Sequence, residues 1–226
     1  MEQKIKRTMS IKQKLIVTSI LLLMIPALVI GFVAYDLAKQ KMTEQILQSA
    51  HSGVDRMNDE IQNIIDPMRR DVAFFADRID GTLYQKGKQN AALQEKMTEY
   101  LDMHPQAANI YFATTDGDMN IFPEQVMPDD YDPRERSWYQ SAEEAGGKVV
   151  ITDPYVDAAS NKMMVTLSQT TGNGKGVVAI DVDVDRIAEI AKKIKIGKEG
   201  YVMILDSTKK IVTHPTLKPG EKATGK

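Results

Sequence analysis

Residues 131–140, YDPRERSWYQ, bring together two tyrosines, two arginines and the chain's single tryptophan. An arginine offers a planar fork of donors that matches a carboxylate, and the free N–H groups of a helix start attract anions. Two helix starts compete for this stretch. In one, Asp132 is the N-cap, Pro133 the first helical residue and Glu135 the partner of a capping box. Tyr131 and Arg136 then meet as a staple pair, and Trp138 points elsewhere. In the other, Ser137 is the N-cap, with Gln140 three residues on. Arg136 then sits just before the helix, with Trp138 and Tyr139 in its first turn, and the assembly can grip a carboxylate. The stretch alone does not choose between a capped surface helix and an anion grip.

Other chemistry is sparse. The chain has no cysteine, which excludes disulfides, thiolate metal sites and a cysteine nucleophile. Of the three histidines, His104 precedes Pro105 and reads as a helix stop, and His214 has no acidic or serine partner nearby. No G-x-S-x-G occurs, and GNGKG at 172–176 lacks the spacing of a phosphate loop, so it reads as a hairpin turn. Asp116-Gly117-Asp118 lacks the spacing of a calcium loop and also reads as a turn. No cofactor or metal site is expected. A net charge of −2 gives no sign of a nucleic-acid partner, and 42% hydrophobic with 27% charged residues describes a globular chain.

The elements that must position the 131–140 segment follow from periodicity. Residues 15–35, LIVTSILLLMIPALVIGFVAY, form an uncharged run of roughly 20 residues, long enough to cross a bilayer. Lys4, Lys6, Arg7, Lys12 and Lys14 precede it, and nearly balanced charges follow. The positive-inside rule puts residues 1–14 in the cytoplasm and those after about 36 outside. Residues 36–79 read as one long stalk helix with an apolar seam at Leu47, Ala50, Val54, Met57, Ile61, Ile64 and Met68, shifting to Val72 and Phe75. The seam suits either a dimer contact or packing on the chain's own domain, and Pro67 is expected to kink the helix or mark a boundary. At ~1.5 Å per residue the segment would reach about 60 Å.

A helix is expected over about 90–103, then a hairpin of 107–113 and 118–122 around Thr114-Thr115-Asp116-Gly117. The helix after 131–140 ends near Gly146-Gly147. Strands follow at 162–169 and 176–184, joined by Thr171-Gly172-Asn173-Gly174, then a helix over 185–194 and a last hairpin of 201–205 and 210–213. This is an α+β chain, a small antiparallel sheet backed by helices. The last hairpin has little sequence after it to pack against, so the chain is expected to stop inside a second domain.

The segments DPRERSWYQSA, ITDPYVDAASNKMMVTLSQ and GVVAIDVDV, in this order, resemble the double Cache (dCache) sensor domain of bacterial methyl-accepting chemotaxis proteins. GKEGYVMILDSTKKIVTHP resembles the start of that family's second subdomain. The resemblance implies two PAS-like subdomains strung along the long helix: a membrane-distal ligand-binding one at 80–194 and the beginning of a membrane-proximal one at 195–226. Amino-acid-binding members share a pattern that falls here on Tyr131, Arg136, Trp138, Tyr139, Tyr155, Asp157 and Asp181. It gives Arg136 and Trp138 the ligand carboxylate, with Tyr131 and Tyr139 completing that side, and gives Asp157 and Asp181 the ammonium. Asp181 and Asp183 share one face of a strand, and Asp183 suits the cap of the following helix equally well.

The resemblance thus implies a receptor rather than an enzyme. Its partners are a small zwitterionic ligand such as an amino acid, the membrane, and a second copy of the chain along the long helix. The alternative is the same sensor fronting a histidine kinase or a nucleotide cyclase whose output domain lies beyond this sequence.

Overall fold

The computed structural model describes residues 10–79, 91–196 and 200–222, and the chain divides into two units, Met1–His51 and Ser52–Lys226. Lys4, Lys6 and Arg7 of the charge argument lie outside the described residues, as do 80–90 beside the expected domain boundary.

Helix α1, Ile11–Arg78, begins in the first unit. Its start is a reciprocal cap: Gln13 N donates to Ser10 Oγ (3.4 Å), and Ser10 N donates to Gln13 Oε1 (3.1 Å). An 18-residue window of the helix has a mean hydropathy of 2.7 and none of it is buried. Among the described residues this is the one helix long and apolar enough to cross a membrane.

In the second unit, α1 continues to Arg78 and helix α2 spans Ala91–Met103. Strand β1 (Ala107–Thr114) turns into β2 (Met119–Phe122), with Gly117 at φ 91° in the turn, a conformation that favours glycine. A 3-10 turn at Pro133–Glu135 leads into helix α3, Ser137–Glu144. Two short strands follow, β3 (Val150–Ile151) and β4 (Tyr155–Val156), then the long pair β5 (Met163–Thr170) and β6 (Gly176–Asp183). Helix α4 is Val184–Lys193, and β7 (Ile204–Leu205) pairs with β8 (Ile211–Thr213). The main sheet runs β2-β1-β6-β5-β3, with β4 also on β5, and every pairing is antiparallel.

Alternation along the strands gives the sheet two chemically different faces. Ile110, Phe112, Leu167, Val178, Ile180 and Val182 join a core with Met57, Ile65, Met68, Val72 and Ala76 of α1 and with Ile187 and Ala191 of α4. Tyr111, Ala113, Val177 and Ala179 face the other way, onto Trp138, Tyr139 and Ala142 of α3. The polar residues of the central strands, Asn109, Thr166, Ser168 and Asp181, fall in this second phase.

Two expectations need correction. Pro67 marks no boundary, because α1 runs through it without a break. The lost backbone bond is outweighed by burial on both sides of it, at Met57 and Ile65 before and Met68, Val72 and Ala76 after. The last hairpin does have a partner: Val212 packs against Val165 and Val184, and Ser207 Oγ donates to Asp153 Oδ2 at 2.7 Å. The face of β5 and the start of α4 supply the surface it packs on. Of the seam, Met57 and Met68 are buried and Ile61 and Ile64 pack on the same core, whereas Leu47 and Val54 are more than half exposed. Over 57–68 the stripe therefore serves the chain's own domain.

Candidate functional site

The competition between helix starts resolves into a 3-10 turn capped by Asp132 followed by a helix from Ser137, and the expected Ser137 cap is corrected by one residue: Arg136 holds the N-cap position and Ser137 is the first helical residue. Asp132 accepts from Arg134 N at 2.9 Å and caps the short 3-10 turn. Helix α3 then starts at Ser137 with Arg136 as its N-cap residue, and the Arg136 side chain makes no capping bond. Its guanidinium carbon lies 4.4 Å from the centroid of the Tyr131 ring, and its buried Nε has no hydrogen-bond partner. An orphaned buried donor is costly, and Arg136 Nε carries that cost in this fold. Arg134 is occupied instead: it pairs with Asp132 at 2.6 Å and reaches Thr115 O at 3.3 Å, pinning the β1–β2 turn.

Trp138 is 1% exposed, stands edge-on to Tyr111 with ring centroids 4.9 Å apart, and accepts a bond on its backbone oxygen from Ser168 Oγ at 2.7 Å. The first turn of α3 is thereby fixed to β5.

The acidic side of the site is built by sheet register. Asn109 and Thr166 are the cross-strand partners of Asp181 on either side. Asn109 Nδ2 donates to Asp181 Oδ2 at 3.0 Å, while Tyr111 Oη (2.8 Å) and Thr166 Oγ1 (2.6 Å) donate to Oδ1. Burial pushes the Asp181 carboxyl up to about 6, with the neighbouring Asp157 charge adding to the rise and the three donors opposing it. A carboxylate has about four acceptor positions, so one remains.

Asp157 sits at the turn after β4, where its Oδ2 accepts from Ser160 N (2.7 Å) and Ser160 Oγ (2.6 Å). The Tyr155 hydroxyl lies 2.7 Å from Thr166 Oγ1, and burial raises its pKa well above the ordinary phenol value.

Tyr131 joins the two sides. Burial raises its phenol pKa; a bond from Trp138 and the Arg136 charge lower it, and the Asp181 and Asp157 charges raise it again. Tyr131, Arg136, Trp138, Tyr155, Asp157 and Asp181 therefore form one neighbourhood, positive at the α3 start and negative at β6. Tyr139 is packed in the same core, but its phenol feels burial first and then Glu143, Arg134 and Asp132 rather than Asp157 or Asp181. Asp183 is elsewhere again: it caps α4 through Asp185 N at 2.9 Å and pairs with Lys162 Nζ at 3.0 Å.

Asn109, Tyr111, Thr166 and Ser168 were not among the expected site residues. The available signal was polar side chains two apart inside apolar strands, in AANIYFAT and MMVTLSQT.

The chain as a whole has known relatives. A Cache domain family model matches residues 34–224. The methyl-accepting chemotaxis protein McpB of Bacillus subtilis (strain 168) is 38% identical over 217 residues, covering 96% of this chain and 33% of that protein. The chain spans about a third of the length of the curated relatives it matches, which are themselves methyl-accepting chemotaxis proteins. Among solved structures, the ligand-binding domain of the Pseudomonas aeruginosa PAO1 amino-acid chemoreceptor PctB, in complex with L-Arg, superposes with a TM-score of 0.60 at 24% identity, over 73% of this chain and 64% of that one. The ligand-binding domain of the Pseudomonas fluorescens chemoreceptor CtaA, in complex with L-serine, gives 0.57 at 24% identity, over 72% and 69%. At these identities the likeness is one of fold. Because the matched span runs from the end of the apolar segment through the last described hairpin, the chain belongs to the Cache domain family.

Proposed function

We propose that this chain is the sensor region of a transmembrane chemoreceptor and that it binds a small zwitterion, an α-amino acid, between α3 and β6. The observation that carries this reading is the pairing of an unpartnered buried Arg136 Nε with a buried carboxylate pair, Asp157 and Asp181, on opposite sides of Tyr131. An α-amino acid presents the complementary charges a few ångströms apart. Arg136 and the N–H groups opening α3 take the carboxylate, with Trp138 and Tyr131 beside them. Asp157 and the remaining acceptor position of Asp181 take the ammonium, with Tyr155 holding Thr166 in place behind it. Tyr139 supports this side by packing against Trp138 rather than by contact.

The curated relatives are chemotaxis receptors, and the PctB and CtaA domains are complexes with L-Arg and L-serine, which supports the ligand class. The basic residues ahead of the apolar run support a cytoplasmic N-terminus and an extracytoplasmic site. The exposed Leu47 and Val54 of α1 support a second copy of the chain as partner along that helix. Residues 80–194 form the ligand-binding subdomain and 195–226 open the membrane-proximal one. The site binds and does not catalyse. Ligand binding shifts the balance between two arrangements of this site against α1, by no more than its differential affinity for them.

The test is thermal unfolding of the full chain in detergent micelles with each of the twenty proteinogenic amino acids. At least one raises the midpoint, and its deaminated and decarboxylated analogues do not. No shift with any of them sinks the reading.

A further inference from the structure

Asp181 Oδ1 already accepts two bonds, from Tyr111 and Thr166, whereas Oδ2 accepts one, from Asn109 Nδ2 at 3.0 Å. The open acceptor position of this carboxylate therefore lies on Oδ2, beside Asn109. Asn109 is buried in β1, and its own Oδ1 accepts from Gln125 Nε2 at 2.7 Å. Gln125 is half-buried and belongs to the connection between β2 and Tyr131. That connection ends in a turn, with Tyr131 N donating to Pro128 O at 3.0 Å.

The amide orientations run in one direction. An ionised carboxylate only accepts, so Asn109 turns Nδ2 to it and Oδ1 outward, and Gln125 presents Nε2. A protonated Oδ2 can donate instead, which favours an Asn109 turned the other way. Gln125 opposes that turn: with Nε2 in place, a reversed Asn109 sets donor against donor, so both amides have to reverse together. We propose that Gln125 is a positioning residue for the acidic centre. It holds the Asn109 amide with Nδ2 toward Asp181 and so favours the ionised carboxylate that an ammonium needs.

The titratable groups that face Asp181 are Tyr111 of β1, Tyr155 of β4, Asp157 in the turn after β4, and Tyr131 ahead of α3, with Arg136 beyond Tyr131. Burial raises all three phenols, so they stay neutral where a carboxyl titrates. The balance at Asp181 is therefore set by burial and the Asp157 charge on one side and by its hydrogen-bond donors on the other. Gln125 bonds to Asn109 and not to Asp181, so its influence passes through the Asn109 amide. This influence needs no ligand; its effect on affinity rests on the zwitterion reading above.

NMR of the full chain in micelles, with aspartate isotopically labelled at the carboxyl and Asp181→Asn to assign the signal, reads the Asp181 midpoint without a ligand. Gln125→Met keeps the outline and removes the donor, and should raise the midpoint by about half a pH unit. Asn109→Leu removes the bond itself and should raise it by at least about one unit. Gln125→Met added to Asn109→Leu should move it no further, which separates positioning from a general effect on the fold. Any of the twenty proteinogenic amino acids that binds should bind Gln125→Met about threefold more weakly than wild type at pH 5 and equally at pH 8. An unmoved midpoint in Gln125→Met overturns the inference, and so does the same shift in both backgrounds. The expected midpoints in a chain that binds none of the twenty leave the positioning role standing and remove the zwitterion site.

Discussion

Thr166 donates its single hydroxyl proton to Asp181 Oδ1 across 2.6 Å. That bond sets the direction of its neighbour: with its proton spent, Thr166 Oγ1 accepts from the Tyr155 hydroxyl at 2.7 Å. A carboxylate buried to 1% exposure is thus served by a directed chain of donors, and its titration is the most accessible property of the site.

Asp181 titrates near 6 in the folded chain, above its ordinary value of 3.8. Between those values the folded chain holds a proton that the unfolded chain has released. Asp181 therefore favours the folded state fully below about pH 4, and that contribution, about 3 kcal/mol, is lost as pH rises to about 6. Ligand binding runs the opposite way, because the ammonium needs the ionised form. Amino-acid affinity should be about tenfold weaker at pH 5 than at pH 7. Calorimetry across this range checks it, and Asp181→Asn should bind weakly with no such dependence. A wild-type affinity flat from pH 5 to 7 would remove Asp181 from the ammonium side.

Thr166→Val deletes one donor to that carboxylate while keeping the side-chain outline. The midpoint of the pH dependence should rise by roughly one unit, since the lost bond favoured the ionised form. An unmoved midpoint would mean that the 2.6 Å contact carries little of the charge stabilisation.

Arg136→Ala should lower amino-acid affinity at least about a hundredfold, through loss of two charge-assisted bonds. The ligand-free melting temperature should stay within about 2 °C, because the Arg136 side chain caps nothing and its Nε is unpartnered. Melting and titration on one sample separate the two effects. A large fall in melting temperature with binding retained would make Arg136 a packing residue.

Met68→Ala probes how α1 is tied to the sheet. Met68 is 1% exposed within the core formed by α1, α2, α4 and the back of the sheet. The substitution should cost about 2–5 kcal/mol in denaturant unfolding of this unit. A cost below about 1 kcal/mol would show that the helix is only loosely seated there.

Much of this protein was legible in its sequence, where the signal was local. The uncharged run at 15–35 and the paired strands with Asp-Gly and Asn-Gly turns are decided by hydropathy, period and turn chemistry within a few residues, whereas these leave the choice between two α3 starts open. Asp183 is open in the sequence between the pocket and the α4 cap, and the structure gives it the cap. What the tertiary structure decided was long-range. That Asn109, Asp181 and Thr166 stand side by side depends on the registers of three strands across more than 70 residues, and no periodicity encodes a register. The sense of Tyr139 and the unbroken helix through Pro67 depend on what lies opposite them. Local chemistry chooses the elements, while burial against distant partners chooses which of their side chains meet.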